Sequence, residues 1–216
     1  MYRAALFDLD GTLTESGPGI TRSVAYSLQK FGITETDQKK LDRFVGPPLI
    51  DSYMRYYDLS YDQAKQAVVF YREYYETKGL FENRVYDGVE EMLRTLRDGG
   101  VRCVVATSKP EQFAVLILEH FGLEDYFSCV AGASMDESRT DKGEVIAYAL
   151  EKAGIAPGER TIMVGDREHD VLGAKRNGLP TVGVLYGYGS REELTAAGAA
   201  FLAETPDQAA SYILNH

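Results

Sequence analysis

Apolar residues follow two rhythms along this chain. Five short runs, residues 3–7, 101–106, 128–131, 161–164 and 181–185, are rich in Val and Ile and lack strict alternation. That pattern suits strands buried on both faces of a parallel sheet. Segments of helical period separate the later runs. Asp87 can cap a helix in which Glu90 completes a capping box and Val89, Met92, Leu93 and Leu96 share a face, with Gly99-Gly100 ending it. Residues 111–121, 142–153 and 168–177 end at Gly122, Gly154 and Gly178. Strand–helix alternation of this kind predicts an α/β fold, a Rossmann-like doubly wound parallel sheet.

One interval breaks the rhythm. About seventy residues without a strand pattern follow the first run, too many for a structureless loop in a compact domain. Residues 21–31, 41–44, 49–57 and 61–78 have helical character, broken by Gly32, Gly46-Pro47-Pro48 and Gly79. The segment reads as an inserted all-helical cap, residues 14–83, in a core made of residues 1–13 and 84–216. More than half of the chain's 15 tyrosines lie in it, namely Tyr26, Tyr53, Tyr56, Tyr57, Tyr61, Tyr71, Tyr74 and Tyr75. They read as helix-packing residues with hydrated hydroxyls.

Charge narrows the function classes. The 216 residues carry 33 Asp and Glu against 23 Lys and Arg, a net charge of -10. Such a chain is repelled by phosphate backbones and anionic lipid, which argues against nucleic-acid polymers and membrane surfaces as partners. An anionic small molecule would need positive charge gathered locally, from a metal or a few placed cations. Cys103 and Cys129 stand apart in apolar runs with no CxxC around either, as buried thiols of a reducing compartment do. No run approaches the ~20 apolar residues of a membrane span, and the opening apolar run is too short for a secretory leader. The expectation is a cytoplasmic protein, a monomer or weak homodimer.

Four segments carry chemistry. In Phe7-Asp8-Leu9-Asp10-Gly11-Thr12 an apolar strand delivers two carboxylates one residue apart. The two-residue period points both the same way at the strand's carboxyl end, where open α/β sheets bind ligands. Two like charges held so close call for a cation or a shared proton. In Met163-Val164-Gly165-Asp166-Arg167-Glu168-His169-Asp170 a second strand delivers Asp166, with Asp170 a helical turn further on. Thr107-Ser108-Lys109-Pro110 offers a hydroxyl and N–H groups at an expected helix start, a potential anion site. Lys142 stands in the first turn of its helix, where a cation opposes the macrodipole unless anions lie nearby.

Together these segments resemble the haloacid dehalogenase superfamily of phosphotransferases over nearly the whole chain. Asp8-Leu9-Asp10-Gly11-Thr12 resembles its first motif, Thr107 its second, Lys142 its third, and Gly165-Asp166 with Asp170 its fourth. The insertion resembles the C1 helical cap of the phosphoglycolate phosphatase-like subfamily. Gly46-Pro47-Pro48-Leu49 is similar to the cap loop of those phosphatases and of related pyrophosphatases and nucleotidases. Many members place proline after the third-motif lysine, whereas Gly143 follows here, which keeps Arg139 as the alternative to Lys142.

The resemblance implies a phosphatase acting on a small phosphorylated metabolite, phosphoglycolate-like or a nucleoside monophosphate. It implies Asp8 as nucleophile and Asp10 as proton donor and acceptor. Mg2+ would sit on Asp8, Asp10 through its backbone carbonyl, and Asp166. Thr12 and Asp170 would support this set from behind, and Thr107, Ser108 and Lys142 would bind phosphate oxygens. Arg22, Arg43, Gly46 and Tyr53 are the cap positions expected to set specificity. A phosphomutase using the same aspartyl-phosphate is the alternative, although mutases of this kind usually carry Gly-Val where this chain has Gly11-Thr12. A non-enzymatic phospho-acceptor module would need neither a cap nor a second acid beside the acceptor. A dehalogenase would leave Asp10 no proton to handle. His169 reads as a solvent-edge helix residue, with His120 and His216 structural. The glycines of Tyr186-Gly187-Tyr188-Gly189 read as loop flexibility, and Ser190 with Glu193 as a capping box.

Overall fold

Strand β1 (Ala4–Phe7) lies between β2 (Arg102–Pro110) and β4 (Thr161–Gly165) at the centre of a six-stranded sheet of order β3-β2-β1-β4-β5-β6. The other strands are β3 (Phe127–Ala133), β5 (Thr181–Val184) and β6 (Phe201–Ala203), and all neighbours pair in parallel. The structure, a computed structural model, describes residues 1–136, 138–156 and 158–216. The chain folds into two compact units: Met1–Thr14 with Val85–His216, and Glu15–Arg84.

In the sheet unit the helices are α5 (Val89–Asp98), α6 (Glu111–Phe121), α7 (Lys142–Lys152), α8 (Glu168–Arg176), α9 (Arg191–Ala197) and α10 (Pro206–Asn215). They cover both sides of the sheet, as the apolar strands require, since parallel strands buried on both faces need a layer on each. Side-chain alternation sorts the residues of β1. Ala4 and Leu6 join Val104, Ala106, Ala131 and Met163 in one core with Val145, Ile146 and Ala149 of α7 and Ala174 of α8. Ala5 and Phe7, also fully buried, point the other way. On α5, Val89, Met92, Leu93 and Leu96 are buried as their spacing predicts, each such side chain contributing roughly 2 kcal/mol.

Three expectations need correction here. Gly88, not Asp87, occupies the N-cap position of α5 without a side-chain cap, so the Asp87–Glu90 box does not form; Glu90 instead pairs with Arg94 at 3.2 Å. Strand β6 is a sixth strand that three residues at the sheet edge could not announce. Strand β2 runs on through Thr107 and Ser108 to Pro110, with an irregularity in its pairing between Thr107 and Pro110. Those two residues therefore close a strand; helix α6 starts beyond them.

The helical unit contains α1 (Gly17–Gln29), α2 (Gln38–Asp42), α3 (Leu49–Tyr57) and α4 (Tyr61–Tyr75). Ser60 and Gln63 form a reciprocal capping box at α4. Tyrosines build its interior: Tyr53 meets Phe44 edge-on at 5.0 Å and Tyr71 stacks on Tyr75 at 5.1 Å. Others reach carboxylates with their hydroxyls, Tyr26 donating to Glu73, Tyr57 to Glu35 and Tyr74 to Glu82. The first and last residues of the unit meet, because Glu15 N–H donates to the Arg84 carbonyl at 2.7 Å and their side chains form an ion pair.

Candidate active site

β1 and β4 are paired with Phe7 opposite Val164, so Asp8 and Asp166 leave the sheet almost level with each other. The Asp8 N–H extends that ladder by donating to the Val164 carbonyl at 2.9 Å. Asp8 continues the parity of Ala4 and Leu6 and thus points to the face carrying α7 and α8. Those helices start here. Lys142 is the first residue of α7, which Asp141 caps by accepting from the Gly143 and Glu144 N–H groups, and Asp170 lies in the first turn of α8. Lys142 Nζ stands 2.8 Å from Asp8 Oδ1 and 2.8 Å from Asp170 Oδ1, all three side chains buried.

Asp8, Asp166 and Asp170 each bring one carboxylate oxygen within 4.8 Å of the others. Burial, then Asp170 and Asp8, drive the Asp166 carboxyl well above the usual carboxylate range, although the Tyr188 N–H pulls the other way. Asp170 is raised by burial as well, with Lys142 offsetting part of the effect. Burial alone would discharge the Lys142 ammonium, but Asp170 and Asp8 outweigh it and hold its pKa above the ordinary lysine value. Three buried carboxylates around one ammonium leave a deficit of positive charge, and hard oxygen donors at this spacing suit a divalent cation such as Mg2+. The residues present therefore fit a metal.

Two further features hold Asp166. Thr12 Oγ1 donates to its Oδ1 at 3.2 Å and the Tyr188 N–H to its Oδ2 at 2.8 Å. Both contacts depend on glycine. Gly11 has φ +81°, and a Cβ on it would stand 2.3 Å from Asp166 Oδ2; a Cβ on Gly187 would stand 2.3 Å from the Gly11 carbonyl oxygen and 2.4 Å from Asp166 Cβ. Close approach to Asp166, rather than flexibility, accounts for both glycines of the 186–189 loop, since a Cβ on Gly189 would meet the Asp166 carbonyl oxygen. Ser190 does cap α9, accepting from Glu193 N–H at 3.1 Å, but Glu193 does not return to it. Its carboxylate instead accepts from Arg167 Nε and the Glu168 N–H, both at 2.9 Å, fixing the start of α8.

Asp10 takes a different partner from Asp8. Its Oδ2 lies 2.9 Å from Lys109 Nζ, both side chains buried. Sequence reasoning passed over Lys109, although its place beside Thr107 at the carboxyl end of a strand next to β1 was a usable signal. Thr107 is buried and its hydroxyl accepts from the Lys109 N–H at 3.2 Å, while Ser108 is half-buried. Arg139 is directed elsewhere: it donates to the Gly132 carbonyl and stacks 3.7 Å from the Tyr148 ring centroid. Lys142, not Arg139, meets the acids. His169, His120 and His216 are exposed.

The expected specificity positions all lie in the helical unit. Arg22 pairs with Glu82 at 3.0 Å with its side chain 60% exposed. Arg43 is exposed and lies 5.5 Å from the Tyr56 ring, and Gly46 is left-handed at φ +100°. Tyr53 is enclosed at 0% exposure and packs edge-on against Phe44.

The comparisons with known proteins agree with this geometry. A 5'-nucleotidase of Pseudomonas aeruginosa is 47% identical over 195 residues, 90% of this chain and 88% of that protein. The tyrosine-protein kinase PtkA of Mycobacterium tuberculosis is 45% identical over 184 residues, 85% of this chain but 62% of that kinase. A phosphoglycolate phosphatase of Vibrio vulnificus is 30% identical over 220 residues, 96% of this chain and 94% of that enzyme. The crystal structure of a predicted phosphatase from Clostridium acetobutylicum superposes with a TM-score of 0.97 at 50% identity, covering all of both chains. The model of the haloacid dehalogenase-like hydrolases matches residues 5–184. With its four acids and two buried lysines at the carboxyl edge of the sheet, the chain belongs to the haloacid dehalogenase-like hydrolase family.

Proposed function

We propose that this protein is a Mg2+-dependent phosphatase that hydrolyses a small phosphorylated metabolite, a nucleoside monophosphate or a phosphoglycolate-like ester, through an aspartyl-phosphate. The observation that carries the reading is the meeting of Asp8, Asp166 and Asp170 around Lys142. One buried acid alone is commonly structural; two acids on one ammonium with a third carboxylate within 4.8 Å, at a strand end, suit a doubly charged phosphoryl group held beside a divalent cation.

In this mechanism the Asp8 carboxylate attacks phosphorus and the bond to the leaving oxygen breaks. Asp10 gives that oxygen a proton, then takes one from the water that attacks the aspartyl-phosphate. Lys142 and the strand end at Thr107 and Ser108 bind phosphoryl oxygens, where charge gathers. Asp170 holds Lys142 in line with Asp8. Thr12 and the Tyr188 N–H fix the rotamer of Asp166. Asp8, Asp166 and the Asp10 carbonyl would hold Mg2+, with Asp170 supporting them, and the ion would supply charge neutralisation for the phosphoryl oxygens.

Choice among esters falls to the helical unit, where Arg22 and Arg43, two of its exposed cations, are the candidates to meet a second anionic group. The test is a screen of phosphate esters with and without Mg2+, run beside Asp8→Asn. Hydrolysis that needs the metal and disappears in the variant is expected; wild-type turnover by Asp8→Asn would refute the assignment. A tyrosine-peptide and ATP arm belongs in the same screen, because the kinase named among the relatives extends well beyond the matched region.

A further inference from the structure

Asp10 is held asymmetrically. Lys109 Nζ lies 2.9 Å from its Oδ2, while its Oδ1 is buried and has no hydrogen-bond partner among the described residues. An unsatisfied buried carboxylate oxygen is costly, and a native fold keeps one only where something else compensates. The lysine is equally unusual. Lys109 is 7% exposed, whereas lysine is rarely buried without a partner of opposite charge. It comes from β2, the strand beside β1, and its own N–H is tied to the Thr107 hydroxyl. The lysine is thus set by a strand, and Asp10 by the turn just beyond the neighbouring strand β1, where it bridges to Thr14.

Resting on the phosphatase reading, we infer that Lys109 is the positioning residue for Asp10: it pins Oδ2 and so leaves Oδ1 as the one oxygen that exchanges protons with the reacting groups. In the second half-reaction Oδ1 removes a proton from water. The water oxygen bonds to phosphorus, and the bond from phosphorus to the Asp8 oxygen breaks. Asp8 regains its charge, inorganic phosphate leaves, and Asp10 carries the proton that the next leaving oxygen receives. Without Lys109 the carboxylate can rotate about its Cβ–Cγ bond, and the fraction of time Oδ1 faces the water falls. Lys142 is spared this task, since its ammonium is occupied by Asp8 and Asp170.

The experiment uses an aryl phosphate with a good leaving group, for which the first step needs no proton. In Lys109→Met, kcat is expected to fall about 10²-fold, the size of a general-base contribution, while kcat/KM stays unchanged. Acid-quenched enzyme should then hold more phosphate label on Asp8 than wild type, because the aspartyl-phosphate decays slowly. A loss of kcat/KM equal to the loss of kcat would place Lys109 in phosphate binding and overturn the inference.

Lys109→Met strands a buried carboxylate, so the second arm compares Asp10→Asn with Asp10→Asn/Lys109→Met, where no charge is left unpaired. A lysine that acts through Asp10 gives the two the same rate of aspartyl-phosphate decay. A further tenfold drop in the double variant would overturn the inference. Should wild-type enzyme acquire no label and Asp8→Asn match its turnover, the phosphatase reading itself fails and the role of Lys109 falls with it.

Discussion

Lys142 illustrates how a local penalty identifies a chemical role. An ammonium in the first turn of a helix opposes the macrodipole, and burial adds a larger cost. Both are offset only by the carboxylates of Asp8 and Asp170 at 2.8 Å. Lys142→Ala is expected to lower kcat by about 10²–10³-fold, as loss of a preorganised donor to a developing oxyanion does; steady-state kinetics on the best ester from the screen measures it. The acids make a pH-dependent prediction. Asp166 and Asp170 have carboxyls raised above the usual range, chiefly by burial, so the folded state of the metal-free chain binds their protons more tightly than the unfolded state. Stability is therefore lost as pH climbs from about 4 through those raised values. Mg2+ needs the charged carboxylates, and its increment in melting temperature should be larger at about pH 8 than at about pH 5. Equal increments would remove these acids from the metal. Much of this was readable beforehand: Asp8, Asp10 and Asp166 follow apolar runs so closely that the sheet edge is implied, with Asp170 one helical turn beyond Asp166. The partition of the cations was not readable: which of Lys109, Arg139 and Lys142 meets which acid depends on strand order, which no one segment encodes.

At the level of elements, strand parity does most of the positioning. Ala4, Leu6 and Asp8 share a face, and so the core beneath α7 and α8 leads directly to the Asp8–Lys142 pair. The loop after β5 is the second device. Its backbone lies against Gly11 and Asp166 so closely that Gly187→Ala would drive a Cβ to 2.3 Å from a carbonyl oxygen. Overpacking of this kind costs typically about 1–3 kcal/mol, and the strain here falls on Asp166, the carboxylate proposed to hold Mg2+. We expect Gly187→Ala to weaken Mg2+ binding, read by calorimetry, more than it weakens binding of an ester in the metal-free protein. An unchanged Mg2+ affinity would make the glycine a matter of loop folding alone. Helices with strong period and glycine stops were legible almost to the residue, as with Glu111–Phe121. Failures came where tertiary pairing overrides local signals. Thr107-Ser108 resembles a helix start but is held in β2 by pairing with β3, and β6 exists because β5 offers it an edge.

Over the whole molecule, acidity and active-site chemistry are balanced locally. The chain carries a net charge of -10, yet an anionic substrate is expected at an edge with two buried ammonium groups, Lys109 and Lys142. The exposed surplus of acid should slow encounter with an anionic ester, so kcat/KM is expected to rise with ionic strength as that repulsion is screened. A fall with salt would point to a long-range attractive field instead. Thiol chemistry has no place in this design: burial pushes the Cys103 thiol up to about 12, and Cys129 is raised as well. Removing Mg2+ with a chelator should abolish hydrolysis while circular dichroism keeps the signature of the folded chain. The reason is that the apolar sheet core needs no metal to close.

The join at Glu15 and Arg84 carries one more implication. Because these two residues are hydrogen-bonded to each other, and Thr14 and Val85 on the sheet side form a bridge of their own, the insertion departs and returns at a single doorway. A segment with adjoining ends can be traded for another of different length without redrawing the sheet. The insertion is thereby an exchangeable cassette, replaceable while the strand ends that carry the acids stay as they are.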